Sequence, residues 1–545
     1  MNTNVLKKFA QLARRHLIEE VAARLERVLT SDSIELREKE RAVKELRNKI
    51  SKTSKKAVIE QAAYTWFNRF CALRFMDVNN YTRIGVVSPS SGFTQPEILH
   101  DAKQGHIDNS LEKFIEKQRI FDLLNGQIPS SDPQGEAYRL LIVVVCNYYN
   151  SIMPFMFEKI DDYTELLMPE DLLSDHSIIH YVREALTADS CKDVEVIGWL
   201  YQFYISEKKD EIFKKLKERK KISPEEIPAA TQLFTPHWIV QYLVENSLGR
   251  LWMLNHSDSS LVQEMDYYIK PEKPEEDFLK LSSPEEIKIC DPACGSGHML
   301  VYAFDLLYAI YEKEGYQGAE IPKIILQNNL YGIEIDERAG EMAAFALAMK
   351  AREKNKGFFH EFVQPNICVL RNISFEEEEL DQYMDKIGRD IFTSNLQTTL
   401  YQFEEADNFG SLIRPAVTDV ADTLEMLEQK EILDDIFLNK THQKVLQVLE
   451  QADYLSQKYH VVIANPPYMG GKGMNGRLKA FARDNYKDSK SDLFAMFIER
   501  NLELAQYQGS VAMITMQSWM FLSSFENLRI EILKRHSLVS LAHLG

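Results

Sequence analysis

A chain of 545 residues is too long for one compact core, so about two to four domains are expected. Its composition, 45% hydrophobic and 27% charged with no low-complexity tract or repeat, excludes a disordered or fibrous protein. The net charge of −18 argues against tight, autonomous binding of a phosphate backbone, although it leaves room for a basic cleft.

Residues 1–60 read as helical, with Leu6, Phe9, Leu12 and Ala13 at helical spacing and a Ser/Asp cap signal before "IELREKERAVKELRNKI". They hold 15 Lys/Arg against 9 Asp/Glu, which is either a solvated helix face or a basic footprint. "AAYTWFNRFCALRFMDVN" is apolar on a wide face and predicts a buried helix, followed by a Ser/Pro/Gly loop at 86–96. Helical patterns continue from about 108 to 223. Their longest apolar run, residues 140–146, is far too short to span a bilayer, and no secretory signal precedes it. The six cysteines form no CxxC pair, which points to a reducing compartment and away from structural zinc. A cytoplasmic protein with no membrane partner is expected. Residues 1–225 thus read as an all-α domain.

From 226 to 545 the rhythm changes to strand, turn and helix. "EIKICDPACGSGHMLVYAFDLLYAIYEK" and "NLYGIEIDERAGEMAAFALAMKARE" each run strand to helix, and "HVVIANPPY" and "GSVAMITMQSWM" add further apolar strands. Alternation of this kind predicts an α/β domain with a doubly wound, mostly parallel sheet. Residues 373–457 break the rhythm and read as a helical insertion between the third and fourth strands. The closing "SLVSLAHLG" reads as a strand end lacking the helix that should follow, as in a truncated chain.

Several residues at strand ends carry chemistry. Thr235, in Phe234-Thr235-Pro236, reads as the N-cap of an amphipathic helix. After the strand "IKIC" comes Asp291-Pro292-Ala293-Cys294-Gly295-Ser296-Gly297. The two glycines allow a sharp turn and close backbone approach to a ligand, and Asp291 offers a carboxylate suited to an ammonium. No Lys follows, so this is no P-loop. Glu334 ends the next strand, where an acidic residue takes two ribose hydroxyls in doubly wound folds, and Asp336 is placed to cap the next helix. His237 and His298 have no ligand-spaced partners, so no metal is expected. Val461–Ala464 reads as a buried strand ending in Asn465-Pro466-Pro467-Tyr468. Consecutive prolines stiffen that turn, so an amide, free carbonyls and one ring stand as a fixed set able to grip a planar amine.

In this order, "FTP", "DPACGSGHML", "YGIEID", "ANPPY" and "KSDLFAMFIERNLELAQYQGSVAMITMQSWM" resemble the consecutive motifs of S-adenosylmethionine-dependent DNA adenine-N6 methyltransferases. More narrowly, "AYTWFNRFCALRFMDVN", "DPACGSGHMLVYAFDLL" and "NPPYMGGKGM" resemble the PglX-type enzymes of BREX phage-defence systems. The resemblance implies a Rossmann-like class I methyltransferase fold, S-adenosylmethionine as cofactor, and double-stranded DNA and other defence proteins as partners. It places Phe234, Thr235, Asp291, Ala293, Gly295 and Gly297 at the methionine end of the cofactor, Glu334 at its ribose, and Asp492 in a motif walling the pocket. Asn465 and the Pro466 carbonyl would accept from the target amine, with Pro467 stiffening the turn and Tyr468 stacking on a flipped base. The family has an acidic residue after the third strand to read the cofactor adenine. Here "PNICVLRNISF" offers only Asn372. In the resembled family a target-recognition region follows the catalytic core, and this chain is expected to end before it. Methyl transfer to RNA or to a protein glutamine, and a cofactor-binding scaffold with little activity, are the rival readings.

Overall fold

The computed structural model describes residues 3–31, 36, 37, 39–157, 163–218, 221–223, 226–231, 235–417, 419–430 and 435–544. The chain divides into two compact units, Met1–Glu207 with Lys356–Phe362, and Lys208–Asn355 with Val363–Gly545.

In the first unit the regular elements among the described residues are helices. Thr3–Thr30 turns Leu6, Ala10, Ala13, Leu17, Val21, Leu25 and Val28 inward, the three- and four-residue spacing of one helix face. Phe9 is buried as expected, but Leu12 falls off that stripe and is exposed. The cap expected ahead of Glu40–Lys52 lies outside the described residues. "AAYTWFNRFCALRFMDV" does form a buried helix, Lys55–Val78, with Trp66, Phe67 and Phe70 at its core. Asp77 near its end organises the following loop, accepting from the backbone N–H groups of Val86, Val87 and Ser88. The basic excess of residues 1–60 is partly spent in ion pairs. Arg14 and Arg15 reach Glu207, Arg24 and Arg27 reach Glu170, and Lys39 reaches Glu165.

The second unit is built on a five-stranded, all-parallel sheet: β1 (Ile289–Asp291), β2 (Leu330–Glu334), β3 (Asn366–Val369), β4 (Tyr459–Ala464) and β5 (Ala505–Met513). The strand order is β3-β2-β1-β4-β5. Parallel neighbours need helical crossovers, and helices on both faces demand strands apolar on both sides. Val461, Val462 and Ile463 of β4 are accordingly all buried. Alternation along β2 shows the two faces. A side chain at Gly332 would collide with Leu300 of helix His298–Lys313, whereas Ile333 points the other way, into a core shared with Val445, Val448, Leu449 and Ala452 of helix Ile436–Ser456. Residues 373–457 are thus helical in the main, and their last helix is the layer that covers one face of the sheet. The expected strand at the end of the chain is absent. Residues 536–544 are neither helix nor strand, and Leu538, Val539 and Leu541 are exposed there, without a neighbouring strand to pair with.

The chain leaves β1 for β2 on one side and later returns to β4 on the other. At such a switch point the crossovers diverge and open a crevice beyond the carboxyl ends of the two central strands. Asp291 ends β1 and Asn465 directly follows β4, so the two motifs singled out in the sequence stand side by side. Among the described residues, no helix is long and apolar enough to cross a membrane.

Candidate active site

At the end of β1 the chain turns through Gly295 and Gly297, at φ +55° and +86°, a left-handed backbone that glycine adopts without strain. Helix His298–Lys313 starts directly after, with Gly297 as its N-cap residue. A Cβ at Gly297 would press on Ala343, whereas one at Gly295 would meet nothing within 4 Å, so the backbone there faces open space. Two carboxyls flank this cradle. Asp291 is only 2% exposed and accepts one backbone N–H, from Ala293, at 3.1 Å. Burial, with Glu334 nearby, pushes its pKa up to about 8. Glu334 accepts from Gly295 N–H at 2.8 Å and from the N–H groups of Ile335 and Asp336 at 2.9 and 3.0 Å. Burial raises it to about 7 in spite of those three donors. Two carboxyls held near neutrality beside an open glycine turn form a site that lacks cationic and hydroxyl partners. Asp336 caps helix Glu337–Lys354 as expected, accepting from Arg338 N–H.

The turn after β4 is held from three directions. Asn465 Nδ2 donates to Thr235 Oγ1 at 3.0 Å, and Tyr468 Oη donates toward Asn465 Oδ1 at 2.9 Å. An amide donating to one neighbour and accepting from the other has only one sensible flip, so the Asn465 oxygen is turned to the Tyr468 side. The Tyr468 hydroxyl also lies 3.0 Å from the carbonyl of Ile514, and its ring packs beside Phe494 and Met513. Pro466 is buried, and Pro467 is half-buried. Behind them Asp492 Oδ1 accepts from Met469 N–H at 3.0 Å, bracing the residue after Tyr468.

Thr235 does not act as the expected cap. Helix His237–Val244 takes Pro236 as its N-cap residue with no side-chain bond, because the Thr235 hydroxyl, buried at 5% exposure, faces Asn465. Phe234 lies outside the described residues. Asn372 spends its carbonyl oxygen on the N–H of Asp407 at 3.0 Å. Ala293 stands half-exposed on the rim of the cradle, packed against the same apolar cluster as Ile335 and Phe409. Among the described residues no group of three or more His, Cys, Asp or Glu could hold a metal ion.

Sequence reasoning missed the segment from Glu405 to Leu412, which reaches these strand ends. Ser411 Oγ donates to the Pro292 carbonyl at 2.5 Å, and Arg500 Nε donates to the Ser411 carbonyl at 2.9 Å. No local pattern could have announced it, since its partners are more than a hundred residues upstream or nearly ninety downstream.

Comparison with known proteins agrees with this geometry. The family profile described as Eco57I restriction-modification methylase matches residues 328–545, and that of the MmeI DNA-methyltransferase domain matches residues 274–369. The chain is 38% identical over 605 residues to the adenine-specific methyltransferase BrxX of Escherichia coli, covering 100% of this chain and 49% of that protein. It is 34% identical over 613 residues to the adenine-specific methyltransferase PglX of Lacticaseibacillus casei, again covering 100% and 49%. The chain therefore spans about half the length of the curated relatives it matches. Among solved structures, a DrdV–DNA complex shares 14% identity at a TM-score of 0.37, covering 97% of this chain and 38% of that one, a likeness too distant to carry an argument.

Proposed function

This chain belongs to the BrxX/PglX family of adenine-specific methyltransferases, and from that premise we propose that it transfers the methyl group of S-adenosylmethionine to the N6 amine of an adenine flipped out of DNA. It would act in the cytoplasm, as the catalytic part of a phage-defence modification system. On this reading the parallel sheet is a Rossmann-like class I core, residues 1–225 are a separate all-α domain, and 226–545 are catalytic. The observation that carries the proposal is the Asn465 amide, oriented by Thr235 at the switch point beside Asp291.

The residues present fit the cofactor. An open glycine turn leaves room for close approach of a ligand, the buried Asp291 carboxyl lacks a cation, and Glu334 has acceptor capacity beyond its three backbone donors. When bound, S-adenosylmethionine supplies an electrophilic methyl on a sulfonium. The chain does the rest. An adenine amine is a poor nucleophile because its lone pair is delocalised into the ring. Asn465 Oδ1 and the Pro466 carbonyl would accept its two protons and favour a pyramidal nitrogen. Tyr468 would stack on the base and offset an unstacking cost of a few kcal/mol. No side-chain base is needed, since the methylated amine is acidic enough to lose its proton to water.

The raised carboxyls give this cofactor site a pH signature. In the free protein at pH 6.5 Asp291, at about 8, is mostly protonated, and Glu334, at about 7, partly so. An ammonium on the first and hydroxyls on the second favour their charged forms, so binding releases protons. Titration of S-adenosylhomocysteine at pH 6.5 should give heats that vary with the ionisation enthalpy of the buffer, and the variation should vanish near pH 9. Heats independent of buffer at pH 6.5 would remove these two carboxyls from the cofactor site.

Modification-sensitive sequencing of DNA from a host with and without the gene tests the function itself. A recurring N6-methyladenine motif present only with the gene is the expected result. Unmodified adenine in a host whose purified protein binds S-adenosylhomocysteine would favour the scaffold reading, and methylated RNA or protein glutamine would favour a different substrate.

A further inference from the structure

Three strand ends bound the cofactor site, and one segment of the β3–β4 connection crosses all of them. From Glu405 to Leu412 the chain holds only the short helix Ala406–Phe409 and a single 3-10 turn, so fixing its backbone costs about 1–2 kcal/mol per residue unless anchors repay it. The anchors fall at the strand ends. Past β3, Asn372 Oδ1 accepts from Asp407 N–H at 3.0 Å. Past β2, the backbone of Gly410 lies so close to Ile335 that an added Cβ would sit 3.1 Å from its Cγ2. Past β1, Ser411 Oγ bonds the Pro292 carbonyl. Asn408 and Asn475 exchange amide hydrogen bonds, and Phe409 stacks on Phe481 with ring centroids 4.3 Å apart and planes 8° from parallel.

That strap changes what can read the cofactor adenine. Its amino group is a donor and needs an acceptor, yet the one acceptor oxygen of the Asn372 side chain already serves the strap. The other carboxylates at these strand ends are engaged as well. Glu334 holds three N–H groups, Asp336 caps a helix, Glu337 pairs with Arg371, and Glu405 with Arg477. Asp407 is the exception. It is half-buried, its N–H is fixed on Asn372, and no hydrogen bond or ion pair is found for its carboxylate among the described residues.

We propose that the strap is the adenine wall of the cofactor site and that the Asp407 carboxylate accepts from the exocyclic amine of the cofactor adenine, with Asn372 positioning it. The inference rests on Asp291 and Glu334 holding the other end of the same ligand. Calorimetric titration with S-adenosylhomocysteine and with its 6-oxo analogue, S-inosylhomocysteine, tests it. The wild-type protein should prefer the amino ligand by about tenfold or more, one charge-assisted hydrogen bond being worth roughly 1.5–3 kcal/mol. Asp407→Ala should bind S-adenosylhomocysteine about tenfold more weakly and lose the preference. Asp407→Asn, which keeps the shape and one acceptor, should fall between the two. Wild-type affinity and preference in both variants would overturn the role of Asp407 while leaving the cofactor site standing. A wild-type protein that binds neither ligand would overturn the cofactor reading, and this inference with it.

Discussion

Asn465→Ala should lower the rate of adenine methylation by about 10²–10³-fold or more, the usual effect of removing one pre-oriented polar group aimed at developing charge, and leave S-adenosylhomocysteine affinity within about twofold. The split follows from geometry. Asn465 bonds Thr235 and Tyr468, whereas the carboxyls that would hold the cofactor stand on β1 and β2 and make no hydrogen bond to it. Single-turnover methylation and calorimetry on the same preparation separate the two readouts. Equal loss of both would mean that the amide serves the cofactor site and not the base. Thr235→Val should echo the effect more weakly, because it removes the acceptor that orients the amide but not the amide itself. Its signature should be a fall in kcat with little change in KM for DNA, partly rescued in Thr235→Ser, which restores the hydroxyl.

Tyr468→Phe should strengthen binding of the flipped base by about two- to tenfold, whereas Tyr468→Ala should weaken it by about ten- to a hundredfold. In this structure the Tyr468 hydroxyl lies on Asn465 Oδ1, the acceptor proposed for the adenine amine, and is held there by the Ile514 carbonyl as well. The ring is drawn toward Phe494 and Met513. A base that enters must displace that hydroxyl, at a net cost of about 0.5–1.5 kcal/mol. Removing the hydroxyl alone removes the competitor and keeps the stacking face. Removing the ring forfeits about 1–3 kcal/mol of stacking. Fluorescence of 2-aminopurine at the target position, in a duplex carrying the methylated motif, reports both. A Tyr468→Phe protein that binds the base less well would mean that the hydroxyl helps to hold the substrate rather than blocking it.

Much of the second unit was legible because its signals are local. Val461–Ala464 is a run of buried, mostly β-branched residues bounded by prolines, and it is a strand. Asp336 precedes an amphipathic run and caps it. Gly295 and Gly297 follow a strand and adopt the positive φ that their spacing implied. Long-range effects were not legible. Thr235 had every local mark of a helix cap, and its hydroxyl is used 230 residues away instead. Asn372 stood where a cofactor contact was sought, and its oxygen is taken by a backbone N–H 35 residues later. Residues 373–457 read as an interruption because their pattern departs from strand and helix alternation, yet helix Ile436–Ser456 supplies the apolar face that buries Ile333 and Val462.

The sequence by itself determined which residues carry chemistry and which strand end each one occupies. Residue type and one or two turns of neighbours decide a tight glycine turn, a stiff Pro-Pro corner and a buried carboxyl. Tertiary structure alone decided how those side chains are spent: the Asn465 amide set between Thr235 and Tyr468, and the strap laid over three strand ends. Hydrogen-bond partners are chosen by proximity in space, and in a parallel sheet whose order reverses at β1, neighbours in space are far apart in the chain.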